Sequence, residues 1–178
     1  MLIFIGTLHL GLTPEDELIK IIEGFKPTQL LVEIHNDDIR NERIEEYPDE
    51  MKSIVNWATN KHIEVSGFDS KIQPMKEKVS EVDLKNLLNE QMAIIKKHNW
   101  KDFNSIQLEN ALKTKSWYKV IDEAKDKERE LEMYDNIIRL ADDSHITVVV
   151  TGSGHIPFFK VKISDAQFPL SSVKFKTR

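Results

Sequence analysis

The chain has 178 residues, 40% of them hydrophobic and 31% charged, with a formal net charge of −5 and no cysteine. This length and balance fit one folded domain and exclude a disordered chain. The acidic balance argues against a general nucleic-acid binder, which needs a basic face for phosphates. The missing cysteine excludes disulfides, thiolate metal sites and cysteine nucleophiles.

The N-terminal stretch MLIFIGTLHLGL is apolar but lacks the basic start and small-residue cleavage site of a signal peptide. No segment reaches the roughly 18 apolar residues of a membrane-spanning helix. The expectation is a cytoplasmic protein without membrane association, opening on a buried strand at 2–6. Thr13 followed by Pro14 marks a helix start, with Thr13 as N-cap and Leu18, Ile22 and Phe25 on one face; Gly24 and Pro27 stop it. A second apolar run, QLLVEI, covers 29–34. Pro48 to Asn60 reads as a helix with Met51, Ile54 and Val55 inward, and HIEVSG at 62–67 as a third strand. This β-α-β-α-β alternation predicts a right-handed, mainly parallel sheet flanked by helices.

Residues 75–141 contain no strand candidate. Ser80 with Asp83 opens a helix in which Leu84, Leu87, Leu88, Met92 and Ile95 share a side. A shorter helix fits 104–114. A long one fits 117–141, with Leu131, Tyr134, Ile138 and Ala141 in phase. The stretch reads as a helical insertion between the third and fourth core strands of a single domain spanning 1–178. The fourth strand, HITVVVT at 145–151, is the clearest, and the tail SSVKFKT alternates like an edge strand.

The chemistry lies just past the strand ends. His9 follows the first strand in Gly6-Thr7-Leu8-His9, and Glu33 ends the second. Asp69 follows the third, and His155 follows the fourth in Gly152-Ser153-Gly154-His155. In open parallel sheets ligands bind beyond the carboxyl ends of the strands, so these four groups are predicted to converge on one edge. Asp69 reads equally as a site residue or a helix cap, and His35 is a reserve ligand beside Glu33. Gly152-Ser153-Gly154 also has the composition of a phosphate cradle, though without a P-loop lysine.

GTLHLG, LLVEI and TGSGHIPFF resemble the paired Gly-x-x-His motifs and intervening Glu of the TraB/GumN (Tiki-like) superfamily. KERELEMYDNII, residues 127–138, resembles that family's Glu-Arg-(Asn/Asp)-x-x-Met helix. The chain departs from the family where an Arg commonly follows the Glu at fixed spacing, Arg40 and Arg43 lying farther along. It departs again at Ser70, where an Arg often follows the third-strand Asp. The resemblance implies a divalent-metal-dependent protease or related hydrolase, and the superfamily's relatives include erythromycin esterases and a haem-binding protein. It also singles out Arg129 and Glu130, which composition alone would leave on a solvated, charge-dense face.

Two neutral imidazoles and a carboxylate suit an open site for Zn²⁺, Mn²⁺ or Co²⁺. His9, Glu33 and His155 are therefore the expected metal ligands, holding a water that attacks an amide or ester bond of a peptide or small molecule. Arg129 is expected to stabilise an oxyanion or hold a substrate carboxylate, and Glu130 to orient it or carry protons. The alternative is a non-catalytic protein that sequesters a peptide or small molecule in the same pocket.

Overall fold

The structure, a computed structural model, describes residues 1–9 and 11–172. Strands β1 (Leu2–Thr7), β2 (Gln29–Val32), β3 (Glu64–Gly67) and β4 (Thr147–Gly152) form one parallel sheet in the order β1-β4-β2-β3. Around it lie α1 (Glu15–Gly24), α2 (Asn36–Arg40), α3 (Asp49–Asn60), α4 (Glu81–Ile95), α5 (Ile106–Leu112), α6 (Trp117–Val120), α7 (Glu123–Leu140) and α8 (Ile156–Lys162). The architecture is the expected α/β class. β1, β2 and β4 are buried almost throughout, which is why they read as continuous apolar runs, whereas the edge strand β3 is half-exposed.

Alternation along the strands feeds two cores. Ile3, Ile5, Leu30, Val32, Val148 and Val150 pack with Leu18 and Ile22 of α1 and Met51, Ile54 and Ala58 of α3. Phe4, Leu31 and Val149 point the other way, onto Met133 and Ile137 of α7 and Ile156 and Phe159 of α8. Each such side chain contributes about 1.5–3 kcal/mol relative to exposure. Helices thus cover both faces of the sheet.

Several local expectations differ from the structure. Thr13 does not cap α1: Pro14 holds the cap position with no side-chain cap bond. The buried Thr13 hydroxyl instead bonds both the backbone N–H and the carbonyl of Leu8, at 2.8 Å each, and pins the loop that carries His9. The expected 117–141 helix is two helices. Asp122 starts α7 afresh by accepting from the Ala124 and Lys125 N–H groups, while Ile121 bridges to Met75. The inward stripe of α7 is also different, since Leu131 and Ile138 are exposed and Met133 and Ile137 are buried. On a helix four-residue spacing defines a face. Arg129, Met133 and Ile137 share one, so the core and the site use the same stripe. In α4 no residue is fully buried and Leu88 is half-exposed. Among the described residues of the tail, Pro169–Ser172 form a 3₁₀ turn; the rest of the expected edge strand lies outside the described residues. No helix among the described residues is long and apolar enough to cross a membrane.

Asn104 makes one of the buried ties between the insertion and the sheet. The Asn104 side chain accepts from the Gly6 N–H (2.7 Å) and donates to the Gly6 carbonyl (2.9 Å), imitating a strand partner. This brings α5 and α6 over the carboxyl edge.

Candidate active site

Strand order brings the site together. β4 lies between β1 and β2, with Thr7 opposite Gly152 and the Glu33 N–H donating to the Val150 carbonyl. Residues leaving three neighbouring strands therefore meet within the reach of one side chain.

Glu33 is almost fully buried and saturated with donors. Its Oε2 accepts from the Thr151 hydroxyl and the Gly152 N–H, both at 2.6 Å, and its Oε1 from Arg129 Nη2 at 2.8 Å. Burial alone would raise its pKa, but His155 and Arg129 outweigh burial and hold it well below the usual carboxylate range. Arg129 also donates to Asp69 Oδ1 from Nε (3.1 Å) and Nη2 (2.8 Å). One guanidinium is shared between two carboxylates. Burial and the charge of Glu33 therefore push Asp69 up despite its ion pair.

His155 is held at both nitrogens. Nδ1 lies 3.0 Å from Glu130 Oε1, and Nε2 lies 3.5 Å from Glu33 Oε1. Burial opposes its charge, yet Glu33 and Glu130 raise its pKa to about 10, so it is an imidazolium at neutral pH. Its 3.2 Å approach to Arg129 Nη1 is then a contact between two cations gathered by Glu33, since neither can accept a hydrogen bond.

His9 is placed differently. Its Nδ1 bonds Oε1 of the buried Glu50 of α3 at 2.6 Å. Nε2 has no hydrogen bond among the described residues. A Cβ built on Gly152 would stand 3.1 Å from Nε2 and 3.5 Å from Glu33 Oε2, so glycine is what leaves the ring room. Burial lowers the His9 pKa, but the Glu50 hydrogen bond and the Glu33 charge more than offset it, and the net shift is upward.

These groups line a cavity of about 430 Å³. His9, Glu33, Arg129 and His155 make its polar floor. The insertion also contributes Glu109, Leu112, Lys113, Trp117 and Ile121 to the lining. Trp117 stands here with Lys113 Nζ 5.1 Å above its ring. His35 does not line the cavity, and its Nδ1 lies 3.4 Å from the Asp69 carbonyl.

The structure thus gathers His9, Glu33, Asp69, Arg129, Glu130 and His155. Sequence reasoning missed Glu50 and Glu109. Glu50 had a signal, since it shares the inward face of α3 with Ile54 and Ala58 at four-residue spacing. An unexplained carboxylate on an apolar stripe asks for a partner. Glu109 sits in a seven-residue helix too short to display a face.

As arranged, His9, Glu33 and His155 do not fit a divalent ion. The Arg129 guanidinium occupies the open flank of Glu33, and His155 would have to release a proton it holds to about pH 10. Metal binding by this set requires Arg129 to withdraw from Glu33 and Asp69. Comparison with protein-family models, curated proteins and solved structures gives no match.

Proposed function

We propose that the cavity is a hydrolytic site acting on an amide or ester bond of a peptide or small molecule, with His9 as general base. The observation that carries this reading is the Glu50–His9 pair. A buried carboxylate fixes one ring nitrogen and leaves Nε2 aimed at a cavity floor bearing two fixed cations. Glu50 orients the imidazole and stabilises the imidazolium formed when Nε2 takes a proton from water. The freed hydroxide adds to the carbonyl carbon. Arg129 and His155 stabilise the developing oxyanion, and both are already held in place by Glu33, Asp69 and Glu130, so they need little reorganisation.

The test is hydrolysis of 4-nitrophenyl esters and fluorogenic peptides by wild type, His9→Ala and Glu50→Gln. The assays run in chelator and again with Mn²⁺, Co²⁺ or Zn²⁺. Activity persisting in chelator, reduced roughly 10²–10⁴-fold in His9→Ala, is the expected result. Glu50→Gln lowers the pKa on the acid limb, because the carboxylate raises that of His9. Activity abolished by chelator and restored by metal returns the His9, Glu33 and His155 ligand set. Binding of a peptide without turnover leaves the sequestering protein as the function.

A further inference from the structure

Glu109 is a carboxyl group that the hydrolytic reading leaves unused. It projects from α5, a helix of the insertion, and is 5% exposed. Its Oε1 accepts from the Ser153 hydroxyl at the start of the turn that carries His155. Its Oε2 has no hydrogen bond among the described residues. The Oε2 atom faces Gly154, where a built Cβ would stand 3.6 Å away, and Glu109 lines the same cavity as His9. A buried carboxyl with one oxygen tethered and one free, lining the same cavity as a carboxylate-held imidazole, has the character of the second member of an acid–base pair.

We propose that Glu109 is the general acid of this site, protonating the leaving group in the cavity it shares with His9. The proposal rests on the hydrolytic reading. The steps balance as follows. Water gives a proton to His9 Nε2 and its oxygen bonds to the carbonyl carbon. The carbon–nitrogen or carbon–oxygen bond breaks as Glu109 transfers its proton to the departing atom. Both groups reset when the proton on His9 returns through solvent to the Glu109 carboxylate. The net reaction consumes one water and yields an acid plus an amine or alcohol.

The charged groups that face Glu109 are consistent with this role. His155 from the β4 turn and Lys113 from its own helix lower its pKa, as does the Ser153 hydrogen bond. Burial outweighs all three and raises it to about 7. Asp126 of α7, which lines the same cavity, is itself pushed up by burial. Because the insertion carries Glu109, the helical layer over the carboxyl edge supplies chemistry as well as cover.

The experiment compares a 4-nitrophenyl ester, whose leaving group departs without protonation, with the ethyl ester of the same acid. Glu109→Gln keeps an acceptor for Ser153. It is expected to lower kcat/KM on the ethyl ester roughly 10²–10⁴-fold and on the nitrophenyl ester by no more than a few-fold. The fall in wild-type rate on the ethyl ester between pH 7 and 9 disappears in Glu109→Gln. Ser153→Ala, which removes a bond favouring the ionised carboxylate, moves that fall to higher pH. Equal losses on both esters, or an alkaline fall that survives Glu109→Gln, overturn the assignment and leave His9 catalysis standing. Wild type inactive on both esters overturns the hydrolytic reading, and this assignment with it.

Discussion

Arg129 holds the site together. It joins residues that follow β2 and β3 to a helix that begins more than fifty residues later, through three hydrogen bonds to Glu33 and Asp69. Removing one partner of a buried ion pair leaves the other charged and unpaired. Arg129→Met is therefore expected to cost about 3–5 kcal/mol in urea unfolding, and adding Glu33→Gln recovers part of that loss. A cost below about 1 kcal/mol would show that solvent reaches the carboxylates easily. At this scale the sequence was informative where a polar residue interrupts or directly follows an apolar run, as with His9, Glu33 and His155. It was uninformative for Glu109, whose burial depends on how α5 docks and not on any neighbour in sequence.

Two glycines show how backbone elements are fitted to one another. Gly67 ends β3 where the chain after β2 crosses it, and a Cβ there would lie 2.3 Å from the Ile34 carbonyl oxygen and 2.9 Å from the Asn36 N–H nitrogen. Gly24 ends α1 with no atom from beyond its own helix turn and chain neighbours, among the described residues, within 4 Å of its built Cβ. Gly67→Ala is expected to lower thermal stability by more than about 1 kcal/mol, and Gly24→Ala to raise it by about 0.5–1 kcal/mol, in the same calorimetric scan. Destabilisation by Gly24→Ala would contradict the open space. The left-handed residue after α1 is Lys26, at φ 51°, not the glycine. The apolar strands and α1 and α3 were legible because burial on one or both faces writes a period into the sequence. α7 offered two overlapping three-and-four stripes, Leu131–Ile138 and Met133–Ile137, and only docking on Phe68 and Phe159 selects the second. α2 and α8, at five and seven residues, were too short to register as periods.

The whole molecule responds to pH through its buried site. His155 is raised from 6.5 to about 10, so the stability it contributes is complete below about pH 6.5 and is lost as pH rises towards 10. Glu109, raised from 4.5 to about 7, likewise favours the folded state below about pH 4.5 and loses that contribution by pH 7. Glu33, lowered from 4.5, acts oppositely: its contribution is present above about pH 4.5 and disappears in acid. Maximum stability is therefore expected in mildly acidic solution, near pH 4.5–6.5. Urea midpoints measured from pH 3 to 10 check this, and Glu109→Gln flattens the slope between 4.5 and 7. A maximum above pH 8 would contradict the charge states assigned to His155 and Glu109.

Of the four strands, β1 is made first and its neighbour β4 last. Leu2 to Thr7 pair with Thr147 to Gly152 on one side, and Leu2, Ile3 and Phe4 meet Gln167 on the other. β2 and β3 can join as soon as both have emerged, but β1 must wait until β4 has emerged. Such distant pairing is closed late and slowly, since the loop entropy is lost before the contacts form. β4 also brings Thr151, Gly152 and His155 to Glu33, so a nascent chain that stops short of it lacks the site as well as the central strand. Insertion of the central strand and assembly of the cavity become one event.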